Sequence, residues 1–346
     1  MQTVNEILRD KTIAHEINLQ RYSKATTNKM MKLLSAAEKD LIKQLRGLEL
    51  DSGTAFNLER TDKQLRSIQT IISESYALMH NDLVSELHDA AKYEQEWQKA
   101  TIEKATPITL DMIAVAPQVL GALIESKPLQ GKILKEWTDK LSADSFASLQ
   151  TAVRMGLVEG QTYDQITKRI IGTKALQYTD GIMQLNRVKT QALVSTAVAH
   201  TTNVARDSFY QANSDVIKAL QWCSTLDGRT TTLCKSRDGK IYPLDSGTRP
   251  PAHFRCRSAM TPVMKSWQEM GLKPRDIPEG TRASMNGQVA ESETYQTWLK
   301  KQSPEFQNET LGKARAEMFR NGTPLDRFVD DSGKTLTLDE LRKVEV

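Results

Sequence analysis

The chain has 346 residues, of which 39% are hydrophobic and 26% are charged. This length allows two or three domains with a buried core, whereas 17 glycines and three cysteines exclude collagen-like and disulfide-rich proteins. The 47 basic and 43 acidic residues give a net charge of only +4, which together with the polar composition indicates a soluble chain with long exposed helices.

The first residues, MQTVNEILRDKT, contain Glu6 and Asp10 and no apolar segment, so the sequence predicts no signal peptide. The longest apolar run, 112–124, is interrupted by Pro117 and is too short to span a bilayer. We therefore expect a protein that is cytosolic, or assembled from the cytosol, and that acts without a membrane.

Helical periodicity dominates residues 1–145, which we predict to form an extended helical region. Apolar residues recur three and four positions apart, first over 13–45 and then over 65–97. Between these stretches, residues 48–56 carry turn-forming residues and break the pattern. Because the second stretch contains no proline, an extended antiparallel helical hairpin is predicted.

Residues 146–218 are predicted to form a helical part that leads into a Cys/His motif. Thr162 is followed three residues later by Gln165, a capping-box spacing that predicts the start of a helix. Beyond the hairpin, other helices are predicted over 119–141, with a break at Pro128, and over 144–155 and 185–212.

From residue 219 onwards, short strand and turn patterns replace the long helices. The segments ALQWCST (219–225) and KIYPL (240–244) have the composition of strands, and TLDGRT and SRDGK have that of turns. Short helices are predicted near 294–302, near 309–321 and from 337. We therefore predict an α-rich fold in which a long helical N-terminal half precedes a small α+β C-terminal domain (219–346) with few short strands, which can fold around its own motif.

Basic residues are concentrated in the middle of the chain. Residues 151–300 hold 20 Lys and Arg against 13 Asp and Glu, whereas the residues before and after them are slightly acidic. Such a patch can contact nucleic acid, although it is more often a solvated surface. Arg249, Arg255 and Arg257 are the candidate contacts. No helix-turn-helix or zinc-finger spacing is present, so any binding of double-stranded DNA is expected to be non-specific.

All three cysteines, Cys223, Cys234 and Cys256, fall within 34 residues, and His253 lies in the same segment. A His-x-x-Cys pair with two upstream thiols can ligate zinc as a Cys3His set, because thiolates and imidazole are favoured zinc ligands. Reduced thiols are expected in the cytosol, which makes a disulfide the weaker interpretation. Ten residues separate Cys223 from Cys234, more than the usual ligand spacing, so three buried thiols and a hydrogen-bonded loop histidine are the alternative.

The surrounding segment, WCSTLDGRTTTLCKSRDGKIYPLDSGTRPPAHFRCRSAMTPV, resembles the signature of the phage Mu protein F-like family of tailed-phage minor head proteins. The positions that carry the resemblance are Trp222, Asp227, Arg229, Thr230, Cys234, Asp238, Gly239, Pro250, Pro251, His253, Cys256, Arg257 and Pro262. The resemblance covers roughly residues 147–346. Family members often carry a Cys-x-x-Cys pair before the His-x-x-Cys pair, whereas this chain has Thr231 at the first cysteine position. Cys223 is therefore the predicted replacement.

The resemblance implies a structural, non-enzymatic minor capsid protein that acts in head morphogenesis. It implies association with the portal protein and with other head or scaffold proteins inside the capsid, and in some relatives departure with the DNA at infection. We therefore expect the protein in the interior of the virion near the portal, and in the host cytoplasm during assembly. The long helices of residues 1–145 are the predicted portal contact.

A virion-packaged enzyme is the alternative function. Cys234 and His253 can serve as a thiol nucleophile and its base in basic surroundings. In addition, Ser224–Thr225 with Glu291–Glu293 resembles the Ser-Thr and Glu-x-Glu elements of ADP-ribosyl-transferring enzymes. Such short polar motifs also occur by chance, and the sequence offers no group that would orient the histidine. The structural role is therefore favoured.

Overall fold

The computed structural model describes residues 3–46, 58–106, 108–266, 268–270, 281–285, 287–290, 293–330 and 333–344. The predicted break over 48–56 lies outside these residues. So do Glu291 and Ser292 of the motif that resembles ADP-ribosyl-transferring enzymes.

Helices dominate the described residues, which confirms the predicted α-rich class. The helices are α1 (Val4–Arg46), α2 (Leu58–Ala105), α3 (Pro117–Ser126), α4 (Leu134–Val158), α5 (Tyr163–Ile171), α6 (Ile182–Ala212), α7 (Thr232–Arg237), α8 (Tyr295–Lys300), α9 (Pro304–Leu311), α10 (Lys313–Arg320) and α11 (Leu338–Val344). The strands are β1 (Ile217–Cys223), β2 (Ile241–Pro243), β3 (Ala259–Met264), β4 (Thr281–Ser284) and β5 (Gly287–Ala290). A long helical N-terminal half thus precedes a C-terminal region with a few short strands, as predicted.

Contacts between backbone positions group the chain into two compact units, each built from separated segments. The first unit comprises Met1–Arg21, Ala90–Gly121 and Ala199–Val346, and the second comprises Tyr22–Asp89 and Ala122–Val198. The predicted domain boundaries at residues 145 and 218 divide the chain into consecutive segments, and they stay a prediction.

Helices α1 and α2 pair in antiparallel directions, as the hairpin prediction requires. Within the first unit, His15 lies 2.8 Å from the Glu94 carboxylate. Within the second, the Tyr22 hydroxyl donates to the Glu86 carbonyl at 2.8 Å. In the same unit Lys29 Nζ lies 3.8 Å from the Asp82 carboxylate, so later residues of α1 contact earlier residues of α2.

The capping box at the start of α5 is confirmed. Thr162 Oγ1 accepts from the Gln165 backbone N–H at 3.3 Å, and the Gln165 side chain accepts from the Thr162 N–H at 2.8 Å. By contrast, the predicted boundary between 141 and 144 is wrong, because α4 continues through it. Lys140 pairs with Asp144 at 2.9 Å one turn later, so the polar residues at this point extend the helix.

The first unit buries the Cys/His motif in a core built from distant parts of the chain. Trp222, Cys234 and Cys256 share this core with Val4 of α1 and Ile102 of α2, among others. The N-terminal helices thus supply apolar cover that the short strands after residue 216 lack. The core around the motif is therefore formed together with α1 and α2.

Two small antiparallel sheets complete the first unit. Strand β1 lies between β2 and β3, with Gln221 opposite Ile241 and Cys223 opposite Ala259. Strands β4 and β5 form a separate pair. A second apolar core holds Tyr295, Trp298 and Phe328 of the last helical turns. The three-stranded sheet is the platform from which the motif loops emerge.

The second unit buries the apolar stripe of α2, whose periodicity predicts packing against a partner or against neighbouring helices of the chain. Ile68, Met79 and Leu83 are fully buried. The Tyr76 hydroxyl lies 3.0 Å from Ser145 Oγ within the same unit. These residues therefore form ordinary core.

Among the described residues, no helix combines the length and the apolar character needed to cross a membrane.

Candidate metal centre

Three of the four predicted metal ligands meet in one cluster within the first unit. The ligand atoms of Cys234, His253 and Cys256 all lie within 4.8 Å of one another. Cys234 Sγ is 3.3 Å from His253 Nε2 and 3.7 Å from Cys256 Sγ. Both cysteines are buried and His253 is half-buried.

Two elements bring these side chains together. Cys234 lies on α7, whose first turn is capped by the Thr231 hydroxyl. His253 and Cys256 lie on one turn, closed by a 3.2 Å hydrogen bond from the Cys256 N–H to the His253 carbonyl. Arg255 within this turn has φ +59°, in the left-handed region that costs a non-glycine residue about 1–2 kcal/mol. The turn conformation places the two ligands on the same side.

The orientation of His253 suits metal ligation. Its Nδ1 lies 2.8 Å from the Phe254 carbonyl oxygen. A carbonyl only accepts hydrogen bonds, so Nδ1 carries the proton and Nε2 presents its lone pair to the sulfur atoms. Histidine ligands of metals are usually fixed in this way. The soft Cys-His-Cys donor set therefore fits a metal ion such as zinc.

The two thiols and the imidazole stabilise a thiolate in the cluster. The hydrogen bond from Cys234 lowers the pKa of Cys256, and the same pairing raises the pKa of Cys234. The hydrogen bond with Cys256 raises the pKa of His253. Because thiolates are the metal-binding form, a group that lowers a thiol pKa here favours ligation.

Cys223, the fourth predicted ligand, is not part of the cluster. It is buried at the end of β1 and lines a different cavity of about 250 Å³, which Glu16 and Ser224 also line. None of the three cysteines forms a disulfide. Thr231 instead contacts the cluster, with its Oγ1 2.9 Å from His253 Nε2.

Asp227 organises the first turn of the signature. Its carboxylate accepts two hydrogen bonds from Arg257, at 2.7 and 2.8 Å, and others from the backbone N–H groups of Arg229 and Thr230 at 3.0 and 3.1 Å. Burial raises the pKa of Asp227, but the hydrogen bonds and the charge of Arg257 lower it by more, so the net shift is downward. The signature Asp and Arg residues therefore hold the loop together.

Asp238 and Trp222 connect the sheet to α7 and α8. The Asp238 carboxylate accepts from the backbone N–H of Ser224 at 2.7 Å and from that of Tyr295 at 2.8 Å. Trp222 Nε1 donates to Ser224 Oγ at 3.0 Å, and that hydroxyl donates to the Cys234 carbonyl at 2.8 Å. A chain of hydrogen bonds thus runs from the buried Trp222 to Cys234, a candidate metal ligand.

Gly239 meets a backbone requirement in the turn before β2. Its φ is +80°, and its N–H donates to the Trp222 carbonyl at 2.9 Å. A side chain in this conformation would be strained, and its Cβ would lie 3.3 Å from the Thr294 methyl group.

Arg249 fixes the loop between β2 and the histidine. Its Nε donates to Asp207 at 2.8 Å, and its Nη2 donates to the carbonyls of Pro243 and Leu244 at 2.7 and 3.0 Å. The cis peptide bond between Pro250 and Pro251 follows directly. Arg249 therefore stabilises this loop through intramolecular hydrogen bonds.

The three arginines predicted to contact DNA thus differ in their surroundings. Arg249 and Arg257 are held in intramolecular ion pairs, with side chains 20% and 19% exposed. Arg255 is exposed, and so is Arg229, whose side chain lies 3.5 Å from Asp227 but is 81% exposed. The pair that is accessible to a phosphate backbone is therefore Arg229 and Arg255.

Sequence reasoning missed several residues that support the motif. Ser224 links Trp222 to Cys234, and Asp207 on α6 anchors Arg249. Lys235 is buried beside Cys234, its ammonium lies 5.4 Å from the centre of the Tyr295 ring, and burial lowers its pKa to about 8. Proximity to a signature residue was the available signal for Ser224, two residues after Trp222, and for Lys235, next to Cys234, whereas Asp207 carried none.

The comparisons with known proteins concern this same segment. The family model described as Phage Mu protein F like protein matches residues 147–261, about a third of the chain. The match includes Cys234, His253 and Cys256 and ends before the C-terminal part of the expected resemblance. No curated protein and no solved structure gives a significant match. Residues 147–261 are therefore similar to the Phage Mu protein F-like family.

Proposed function

We propose that this chain is a structural minor head protein of a tailed phage, located inside the capsid near the portal. The match of residues 147–261 to the Phage Mu protein F-like family carries this proposal. The hydrogen bonds of the signature support a structural rather than a catalytic role, because Asp227, Asp238 and Arg257 bind other parts of the chain.

The test is the protein content of purified particles of the phage that encodes the chain. Quantitative mass spectrometry should find a few copies per DNA-filled head. Heads assembled without portal protein are the matched control and should lack the chain. Equal amounts in both kinds of head would contradict portal association, and absence from both would contradict the role in the head.

Zinc is the proposed cofactor of the domain. The ion would be held by Cys234, His253 and Cys256. It would have a structural role, because it would cross-link α7 to the turn that carries His253 and Cys256. Metal binding in a small, strand-poor region supplies folding free energy directly. Elemental analysis of protein purified without chelator should show one zinc ion per chain, and a folded sample without zinc would exclude the cofactor.

The portal contact is proposed for the N-terminal helices. The buried stripe of α2 is unavailable, so the contact has to use exposed apolar side chains. Ile17, Leu78 and Tyr93 are each more than 50% exposed on α1 and α2. Exposed apolar groups on long helices are suited to docking on another protein. Ejection of the chain together with the DNA is a further proposal. Detection of the chain inside newly infected cells would test it.

A thiol-dependent enzyme is the second candidate, and the 3.3 Å contact between Cys234 and His253 favours it. Iodoacetamide separates the two roles. A structural metal ligand resists alkylation until a chelator removes the ion, whereas a nucleophilic thiolate is alkylated without chelation. Fast alkylation of Cys234 in the untreated protein would support the enzyme.

A further inference from the structure

We propose that the metal ion of this chain has three protein ligands, and that its fourth position, beside Thr231, is open to an exchangeable water molecule or small anion. This inference rests on the proposed zinc cofactor and concerns the coordination of the ion. It differs from the Cys3His set that the sequence predicts.

Thr231 lies where a fourth ligand would be expected. Its Oγ1 is 2.9 Å from His253 Nε2, the nitrogen that faces both sulfur atoms. It precedes Cys234 by three residues, so a cysteine here would complete a Cys-x-x-Cys pair on the first turn of α7. A hydroxyl group is a much weaker zinc ligand than a thiolate, so the substitution leaves the position without a strong protein donor.

Cys223 does not fill this position. Its side chain faces the separate cavity of about 250 Å³, and it is absent from the group of mutually close ligand atoms among the described residues. Its strand position opposite Ala259 in the register of β1 and β3 fixes it there. Moving it to the cluster would require breaking the pairing of the two strands.

The Thr231 side of the cluster is also the side that reaches solvent. Cys234 and Cys256 are only 2% and 4% exposed, whereas Thr231 is exposed. A small cavity of about 20 Å³ lies against the cluster and is lined by Thr231, Cys234 and His253, among other residues. This volume is about that of one water molecule by the same measure.

The charge around the cavity favours an anionic fourth ligand. Two thiolates neutralise a divalent ion, so the cluster itself has no net charge. Arg229, Arg255 and Arg257 line the same cavity, and Asp227 offsets one of these positive charges. A small anion such as chloride, azide or cyanide is the chemical class that the site would take in exchange for water.

Cobalt(II) in the full-length chain is the probe for this geometry, because its absorption reports both thiolate number and coordination. Replacing the threonine with a ligand, Thr231→Cys, should raise the thiolate-to-cobalt absorption about 1.5-fold, from two thiolates to three. Zinc affinity, measured by chelator competition, should rise about tenfold or more, the scale on which single partners alter metal affinity. Thr231→Ser keeps the hydroxyl and the helix cap and should match the wild type.

Two further measurements complete the test. Cys223→Ser should leave cobalt absorption and zinc affinity unchanged, because Cys223 is not a ligand. Azide should change the visible cobalt spectrum of the wild type and not that of Thr231→Cys, in which the fourth position is closed. Circular dichroism of each metal-loaded variant reports whether the fold is retained.

The outcomes separate this inference from the zinc proposal. A wild type that binds no cobalt or zinc overturns both. A wild type that binds metal, with no change in Thr231→Cys or with loss of one third of the thiolate absorption in Cys223→Ser, overturns only the open fourth position.

Discussion

Asp227 is a signature residue that stabilises the loop beside the Cys/His cluster. Its carboxylate binds the Arg257 guanidinium through two hydrogen bonds and also accepts two backbone N–H groups. Paired hydrogen bonds between a guanidinium and a carboxylate are among the stronger hydrogen bonds in proteins. Arg257 adjoins Cys256, so this pair holds the end of the turn that carries His253 and Cys256.

Asp227→Asn should destabilise the protein by about 1–3 kcal/mol, because the amide keeps the shape but loses the charge that binds Arg257. Urea unfolding at pH 7 measures this loss. Asp245→Asn, at an exposed carboxylate whose described contact is with Ser246, is the matched control and should change little. Equal effects in the two variants would contradict the assignment.

The effect of Asp227 depends on pH. Its pKa is lowered in the folded chain, so the folded state binds fewer protons than the unfolded state just below the ordinary aspartate pKa of about 4. The stabilisation is complete above that value and is lost as the pH falls. The difference in unfolding free energy between wild type and Asp227→Asn should therefore shrink below about pH 4. A difference that stays constant down to pH 2.5 would contradict the ion pair.

Three helices of the first unit meet at a buried ion network. Arg206 of α6 donates to Glu94 of α2 at 2.8 Å and to Glu16 of α1 at 2.7 Å. The second Glu94 oxygen lies 2.8 Å from His15, whose ring stacks on Trp97 with centroids 3.8 Å apart. Burial raises the pKa of Glu94, but Arg206 and His15 lower it by more, to about 2. The network fixes the register of the helices that cover the motif.

Glu94→Gln should cost about 3–5 kcal/mol, because it leaves the Arg206 charge with weaker compensation in a site that water does not reach. The Arg206 side chain has no exposed surface, and its Nη1 has no hydrogen-bond partner among the described residues. Glu96→Gln, an exposed position on the same helix, is the control and should stay within about 0.5 kcal/mol of the wild type. Similar unfolding midpoints for both variants would show that the network adds no stability.

At the scale of the whole molecule, the excess of basic residues over 151–300 is expected to support weak, non-specific binding of duplex DNA. Affinity should fall steeply with salt, and Arg229→Ala with Arg255→Ala should reduce the slope of log affinity against log salt by about two. Lys174→Ala, at an exposed position of the second unit, is the control for loss of charge alone. Fluorescence anisotropy with no binding at low salt would identify the patch as a solvated surface.

Portal docking is the second expectation for the whole molecule. Leu78→Asp, at a side chain 53% exposed, should weaken co-purification with co-expressed portal protein about tenfold or more while the fold is retained. Asn81→Asp adds the same charge at an exposed polar position of α2 and should bind normally. Ile17→Asp and Tyr93→Asp extend the test along the two helices. Unchanged binding in all three apolar variants would exclude these surfaces as the contact.

The sequence by itself determined most helices of this protein and the family that its middle segment resembles. Helical periodicity predicted the long N-terminal helices, and the spacing of Thr162 and Gln165 predicted the start of α5, because both depend on residues close together in the chain. The ordered signature from Trp222 to Arg257 indicated the family that the comparison finds over residues 147–261. Short strands such as β3 were missed, because their pairing is with a distant segment.

Only the tertiary structure decided which residues form the site and its surroundings. The sequence grouped Cys223 with the other cysteines, but strand register directs it to another cavity and places Thr231 beside His253. Likewise, charge counts could not show that Arg249 is committed to Asp207, which lies 42 residues earlier. The side a residue faces and the partner it meets depend on long-range packing, which local patterns do not encode.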